Sequence, residues 1–389
     1  MEHNRVVELG SLIKPAKTIR CGDDYYPVLS MTMHDGLVFQ EEKFKKEVAS
    51  KNKADYKVVF KNQLVVGFPI DEGVLATQRI VDAGIVSPAY GIWDVDQSKI
   101  HPEFLEWALR SARALDYYRA KLRGSTARRR SLPTETFLKF TLPLPSISEQ
   151  MHILDIIHKL QVMLRSRQQQ LAKLDELVKA RFVEMFGDML LNPMAWPEVV
   201  LETLADIVSG ITKGRKVKEQ TLLEVPYMAV SNVKDGYIDW TTVKTILATE
   251  QEIEQYRLFP DDVLMTEGGD PDKVGRGAII KEPLENCIHQ NHIFRVRLDK
   301  EKILPAFFAE YLQHQKSKRY FLGCAKQTTG IASINMKQLK ALPVLLPPLD
   351  LQQQFDDFAR QIERVRCSIQ NCLGQMETLK KALIQQYFG

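Results

Sequence analysis

The stretch "LPLPSISEQ" at residues 142–150 leads into a long, charged segment with a helical pattern, and "VLLPPLDLQQQ" at residues 344–354 does the same. Proline holds the residue before it in an extended conformation and suits the first turn of a helix. Each stretch therefore predicts an extended segment that ends at the prolines and a helix that starts directly after them. Two such stretches in one chain indicate an internal repeat.

The repeat becomes visible when the sequence is shifted so that Gln150 falls on Gln352. The same shift places Phe186 on Phe388 and needs no gap between residues 131 and 187. Weaker matches continue upstream. The chain is therefore predicted to hold two copies of one unit, each a variable domain followed by a long helix. The predicted boundaries are 1–145 and 189–345 for the domains, and 146–188 and 346–389 for the helices.

Apolar residues along both predicted helices recur at spacings of three and four, which is typical of a coiled-coil-like seam. A helix of about 37 residues is on the order of 55 Å long. We expect the two helices to pair antiparallel within one chain, because a compact domain lies between them; dimerisation of two copies is the alternative. The expected seam residues are Ile153, Ile157, Leu160, Leu164, Leu171, Leu174, Phe355, Ile362, Ile369, Leu373 and Met376.

These features define an α+β fold class. We expect two similar α/β domains in a pseudo-two-fold arrangement, separated by two long antiparallel helices. The length of 389 residues is sufficient for two cores. The sequence shows no long apolar run and no secretory leader, which predicts a cytoplasmic protein. Its five cysteines are scattered without a C-x-x-C pair, which favours reduced thiols over a zinc site.

Net charge is only +4, so the distribution of the basic residues has to decide whether nucleic acid is a partner. Residues 117–134 and 311–349 lie at matching places in the two copies, and both are basic without any Asp or Glu. Polar side chains that can read bases are interleaved with these basic residues in the second copy. Two such runs at equivalent places favour a nucleic-acid surface over a merely solvated one.

A loop at 210–219 and a flexible turn at 266–277 add further basic residues at positions where a scaffold presents loops. Neither has the glycine spacing of a phosphate-binding motif. The candidate DNA-contacting residues are Arg119, Lys121, Arg123, Arg128, Arg129, Arg130, Lys213, Arg215, Lys216, Lys218, Arg276, Lys326, Gln327, Thr328, Asn335 and Lys337.

Catalytic motifs are missing from the sequence, including those of adenine methylation, serine hydrolysis, zinc proteolysis and P-loop nucleotide hydrolysis. His289 and His292 could be metal ligands, but an apolar strand-like setting favours a hydrogen-bonded structural role. "PDD" at 260–262 lacks a convincing partner for a nuclease site. We therefore expect no catalytic residue, no metal site and no cofactor in this chain.

The duplicated order of motifs closely resembles the specificity (S) subunit of type I restriction-modification systems over essentially the whole chain. The second half carries the resemblance most clearly, in "GITKG", "VPYMAVSNVKDGYI", "PDDVLMTEGG" and "QTTGIASINMKQLKALPVLLPPLDLQQQ". The first half repeats these motifs more loosely, with "KPAKTIR" in place of "SGITKG" and three arginines in place of "GIA".

The resemblance implies a non-catalytic subunit with two target-recognition domains, each of which reads one half of an asymmetric bipartite DNA sequence. The two helices would act as the spacer. The implied partners are two methyltransferase (M) subunits that carry S-adenosylmethionine, and restriction/motor (R) subunits that use ATP and Mg. The alternatives are the recognition subunit of another methyltransferase/nuclease complex, of type IIB-like organisation, and a non-catalytic coiled-coil adaptor.

Overall fold

The computed structural model of the chain describes residues 5–33, 35–43, 53–122, 132–215, 221–270, 273–328 and 330–389. The chain divides into two compact units. Unit 1 contains residues 1–168 together with 371–389, and unit 2 contains residues 169–370. Each unit therefore contains one end of each long helix.

The first half of the chain supplies short strands, small helices and one long helix. Its strands are β1 (Arg5–Glu8), β2 (Ile13–Pro15), β3 (Leu29–Thr32), β4 (Gly36–Phe39), β5 (Lys57–Phe60), β6 (Leu64–Val66), β7 (Leu75–Thr77), β8 (Ala83–Val86), β9 (Gly91–Val95) and β10 (Thr141–Leu144). Its helices are α1 (Gln40–Lys43), α2 (Pro102–Leu109), α3 (Ala112–Lys121), α4 (Thr134–Leu138) and α5 (Ile147–Phe186).

The second half repeats this order with additional strands. Its strands are β11 (Glu198–Val200), β12 (Ala205–Ser209), β13 (Leu223–Met228), β14 (Lys244–Ala248), β15 (Val263–Thr266), β16 (Gly268–Gly269), β17 (Gly277–Ile279), β18 (Ile288–His289), β19 (Ile293–Leu298), β20 (Lys326–Thr328), β21 (Ile331–Ser333) and β22 (Pro343–Leu345). Its helices are α6 (Glu250–Tyr256), α7 (Pro305–Gln313), α8 (Gln315–Cys324), α9 (Met336–Lys340) and α10 (Leu349–Phe388).

The main sheet and the ribbon before the long helix have the same topology in the two units. An antiparallel four-stranded sheet has the order β2-β9-β6-β7 in unit 1 and β12-β19-β15-β17 in unit 2. A two-stranded ribbon, β1-β10 or β11-β22, precedes the long helix in each case. The repeat in the sequence therefore reflects a repeated fold, and the predicted α+β class is confirmed. The exact domain boundaries remain a prediction.

The main core of each unit contains buried side chains from the four-stranded sheet and from the small helices. In unit 1 these include Leu64, Leu75, Trp93, Phe104 and Phe137. The core of unit 2 includes Val263, Met265, Phe294, Phe307 and Leu339. Proline opens both α2 and α7, where its missing N–H needs no partner.

The helices α5 and α10 are 40 residues long each, and they begin directly after the proline stretches. A reciprocal pair of hydrogen bonds between Ser146 and Glu149 caps the start of α5. Among the expected seam residues, those buried are Ile153, Ile157, Leu160, Leu164, Phe355, Ile369 and Met376. Those half-buried are Leu171, Leu174, Ile362 and Leu373.

The two helices run antiparallel within each unit. In unit 1, Leu160 and Leu164 of α5 cluster with Met376 of α10, and the start of α5 shares a core with Phe388. In unit 2, Asp175 of α5 accepts a hydrogen bond from Arg366 of α10. As the residue number rises along α5, it therefore falls along α10.

Each long helix ends on a phenylalanine that is buried in the unit opposite to the one where the helix begins. Phe388 lies 4.9 Å from Phe104, ring centre to ring centre, in unit 1. Phe186 lies 4.8 Å from Phe307 and 5.6 Å from Phe355 in unit 2. The sequence analysis aligned these two phenylalanines but did not predict that they would anchor the helix ends.

A fully buried glutamine fixes the start of each long helix. The side chain of Gln150 accepts a hydrogen bond from His101 N–H and donates to the carbonyls of Lys99 and Pro145. Gln352 accepts from Leu304 N–H and donates to the carbonyls of Lys302 and Pro347. The two glutamines occupy matching positions in the repeat, so the same set of buried hydrogen bonds holds each helix to its domain.

We predict that Gln352→Ala destabilises unit 2, because it leaves the N–H of Leu304 and two carbonyls without their buried partner. Loss of such a buried hydrogen-bond partner costs about 1–3 kcal/mol. The control is Gln354→Ala at an exposed position two residues further along α10. Thermal denaturation should show a lower melting temperature for Gln352→Ala alone, and equal behaviour of the two variants would contradict the assigned role.

Candidate nucleic-acid interface

A three-stranded ribbon at one edge of unit 2 brings several predicted site residues together. Strands β20 and β21 form a hairpin, and β16 pairs with the other side of β21. Glycine is favoured at position 268 in β16, because a Cβ there would lie only 3.1 Å from the carbonyl oxygen of Ala332. The ribbon thus places exposed Lys326 and the backbone of Gln327 and Thr328 beside the turn that follows β15.

Asn335 and Lys337 follow the ribbon at the start of α9. The side-chain oxygen of Asn335 accepts a hydrogen bond from Gln338 N–H, and the Gln338 side chain accepts one from Asn335 N–H. Asn335 is therefore the N-cap of α9, and its oxygen is already engaged. Lys337 is exposed in the same helix.

Arg276 lies on the turn that connects β15 and β17. Its carbonyl accepts a hydrogen bond from Thr266 N–H at 3.1 Å, and its own N–H donates to Lys273 O at 3.2 Å. The preceding Gly275 has a φ of +73°, and a Cβ there would lie 2.1 Å from the Phe321 ring. This glycine therefore permits the turn to pack closely against α8.

Lys213 and Arg215 lie on one loop but in different environments. Lys213 is exposed. Arg215 donates two hydrogen bonds to the carboxylate of Glu252 and one to Leu247 O. These contacts hold the pKa of Glu252 below its ordinary value, chiefly through the hydrogen bonds from Arg215. Arg215 therefore has a structural partner, whereas Lys213 presents its charge to solvent.

Glu252 is absent from the site residues predicted from the sequence, although a recognisable pattern marks it. Thr249 and Glu252 form a capping box at the start of α6. Such T-x-x-E spacing identifies a helix start from sequence. It does not reveal that the same carboxylate also binds an arginine 37 positions earlier in the chain.

In unit 1, Arg119 donates a hydrogen bond to Asp116 at 2.9 Å, and Lys121 is exposed at the end of α3. The remaining predicted residues lie outside the described part of the chain; they are Arg123, Arg128, Arg129, Arg130, Lys216 and Lys218. The assignment of all these residues to DNA contacts stays a prediction.

The two histidines considered as metal ligands have other partners. His289 is fully buried between the carbonyls of Tyr256 and Val208, and burial lowers its pKa to about 4. His292 is exposed and pairs with Glu267. Within the described ranges, His, Cys, Asp and Glu form no group of three or more that could hold a metal ion. No described helix has the length and apolar character to cross a membrane.

The comparisons with known proteins agree on one family. Residues 194–372 match the type I restriction modification DNA specificity domain. The chain is also 28% identical over 187 residues to a Methanocaldococcus jannaschii protein assigned as the specificity subunit of the MjaX type I restriction enzyme. That alignment covers 48% of this chain and 44% of the relative.

Solved structures show the same fold along nearly the whole chain. A structure described as showing complex assembly and conformational transition of the type I R-M system matches with a TM-score of 0.56 at 18% identity. The S subunit of a type I restriction-modification system from M. genitalium matches with a TM-score of 0.53 at 15% identity. The alignments cover 99% of this chain in both cases, and 97% and 96% of the respective structures.

Residues 194–372 carry the match to the type I DNA specificity domain, and the curated relatives are specificity subunits of type I restriction enzymes. The resemblance seen in the sequence is thereby confirmed. The chain spans less than two thirds of the length of the curated relatives that it matches.

The different environments of Lys213 and Arg215 lead to a paired prediction. Lys213→Ala should lower DNA affinity and reduce the slope of affinity against salt by about one, because one exposed phosphate-binding charge is lost. Arg215→Ala should leave that slope unchanged and lower the melting temperature. Measurements are salt titrations of DNA binding and thermal denaturation.

The pH dependence of the Arg215→Ala effect is part of the same test. A carboxylate with a lowered pKa contributes stability above its ordinary pKa and loses it as the pH falls through the folded value. The destabilisation by Arg215→Ala should therefore shrink below the ordinary titration range of glutamate. A reduced salt slope with an unchanged melting temperature would instead identify Arg215 as a DNA contact.

Proposed function

We propose that this chain is the sequence-specific DNA-binding subunit of a type I restriction-modification complex and that it reads an asymmetric bipartite target. The observation that carries the proposal is one fold present twice with different loops at equivalent places. The turn between β6 and β7 carries Asp71 and Glu72, whereas the turn between β15 and β17 carries Lys273 and Arg276. Two domains with different loops would read two different half-sequences.

The proposed contacts divide by chemistry. Exposed lysines such as Lys213, Lys326 and Lys337 would bind phosphates and set the position of the duplex. Side chains that present paired donors and acceptors would read base edges, with about 1–3 kcal/mol of discrimination for each good contact. The similarity to type I specificity subunits and the acid-free runs at matching places support this division.

The proposed partners are two methyltransferase subunits that carry S-adenosylmethionine, and restriction/motor subunits that use ATP and Mg. The chain itself would be non-catalytic and would act in the cytoplasm. Exposed apolar side chains on α5 support subunit docking, among them Val162 and Met163 in unit 1 and Leu177 and Val183 in unit 2. A protein surface normally covers such side chains when they are grouped.

The test is methylome sequencing of a host that expresses this chain with its methyltransferase. The expected result is one bipartite methylated sequence with two unlike halves. A second assay incubates the pure chain with DNA, labelled S-adenosylmethionine and Mg. Methyl transfer or cleavage by the pure chain would show that it is an enzyme, and DNA binding that is absent or insensitive to salt would favour an adaptor.

Replacement of Arg128, Arg129 and Arg130 together by Ala should weaken DNA binding and flatten its salt dependence. Each lost phosphate contact reduces the slope by about one unit. The measurement is a series of affinities at increasing salt for the variant and the unaltered chain. An unchanged slope would assign the three arginines to a solvated surface.

Duplication of Leu171-Ala172-Lys173-Leu174 in α5 should lengthen the non-specific spacer between the two half-sequences and leave the half-sequences unchanged. Four added residues lengthen a helix by about 6 Å, which is close to two base-pair steps. Methylome sequencing reads the result directly. An altered half-sequence, or an unaltered spacer with activity retained, would exclude a spacer role for the helices.

A further inference from the structure

Two residues that each contain a buried polar atom without a partner lie opposite each other at the end of β15. In the described part of the chain, Thr266 Oγ1 and Arg276 Nε are both buried and have no hydrogen-bond partner. Strands β15 and β17 are paired through Met265 and Gly277, and the next step of that register places Thr266 opposite Arg276. Opposite residues of an antiparallel pair project from the same face, so the two side chains are neighbours.

Unit 1 contains the same turn without these polar groups. The register of β6 and β7 places Gly67 opposite Val74. The N–H of Gly67 donates to Val74 O at 2.8 Å, just as Thr266 N–H donates to Arg276 O at 3.1 Å. The fold therefore forms this turn with a glycine and a buried valine, and it does not require an arginine at this position.

An arginine here is unfavourable for folding alone. Burial of a polar atom without a partner loses its hydrogen bonds to water and gains none in return. Arg295 shows how a structural arginine in the same sheet is placed. Its Nε is also unpartnered, but its terminal nitrogens donate to Gln255 O and to the Asp206 carboxylate.

The terminal nitrogens of Arg276 are in a different situation. No described residue accepts a hydrogen bond from them, and neither nitrogen is buried. The pKa of Asp270 is lowered, first by hydrogen bonding and charge from Lys273 and then by the charge of Arg276. The charge of Arg276 therefore acts on Asp270, which follows directly after β16.

The stem of Arg276 is thus held by burial while its terminal fork is exposed. A side chain fixed in this way loses little conformational entropy when it binds a ligand. The fork presents parallel N–H donors, which match the two acceptors O6 and N7 of guanine in the major groove. The turn in unit 1 has no such donor, because Val74 is apolar.

We propose that Arg276 is a specificity-determining residue that reads one guanine in the half-sequence recognised by unit 2. This inference rests on the proposed DNA-binding function and deepens it. Thr266 and the Phe321-packed Gly275 act as positioning residues, since they shape the turn that carries the arginine. The equivalent position of the other half-sequence is read without an arginine fork.

The test selects bound duplexes from a randomised library with the full chain in complex with its methyltransferase. Arg276→Met retains the length of the apolar stem and removes the fork, and Arg276→Lys retains the charge without the paired donors. Both variants should lower the preference for guanine at one position of one half-sequence by about 5-fold to 150-fold. The other half-sequence should be unchanged.

Melting temperature provides the second readout. Arg276→Met should melt at the temperature of the unaltered chain or above it, whereas the control Arg295→Met should melt lower because Asp206 and Gln255 lose their donor. Full guanine preference in Arg276→Met would show that the fork does not read the base, and it would overturn the proposal. A melting temperature of Arg276→Met as low as that of Arg295→Met would also overturn it.

The same selection separates this inference from the function on which it rests. If the unaltered chain selects a bipartite sequence and both Arg276 variants select it equally well, the inference fails and the proposed function stands. If the unaltered chain selects no sequence at all, the proposed function fails and the inference fails with it.

Discussion

The packing of two helix-terminal phenylalanines is the interaction on which both units depend. Phe388 is buried among the small helices of unit 1, and Phe186 among those of unit 2. Burial of one such side chain contributes about 1.5–3 kcal/mol. Because each helix begins in one unit and ends in the other, neither half of the sequence contains all the residues of its own core.

The long helices and the repeat could be predicted from sequence because their causes are local. Proline fixes where each helix begins, and the recurrence of apolar residues at three and four positions follows from helical geometry alone. Gln150 and Gln352 occupy matching positions in the repeat because both make the same buried hydrogen bonds, which cannot be seen from the sequence alone. Each is a single side chain that satisfies three backbone groups from two separate segments of the chain.

The candidate site was harder to predict, because the sequence shows that a side chain is charged but not whether another side chain in the fold pairs with it. From the sequence, Lys213 and Arg215 are equally good candidates for DNA contacts, since both are cations in one short loop. Only the fold places Glu252 against Arg215 and leaves Lys213 exposed. The same limit applies to Arg276. Strand register sets its environment, and its special character becomes visible only by comparison with Val74, the residue at the equivalent position of unit 1.

The exchange of helix ends also sets the order in which the protein can be completed during synthesis. Unit 1 needs residues 371–389, and these follow the roughly 200 residues of unit 2 in the chain. At about 5–20 residues per second, the ribosome takes about 10–40 s to make that stretch. During this interval the apolar seam of α5 and the aromatic pocket around Phe104 stay open to solvent. The nascent chain therefore exposes apolar surface for longer than a chain of two self-contained domains would.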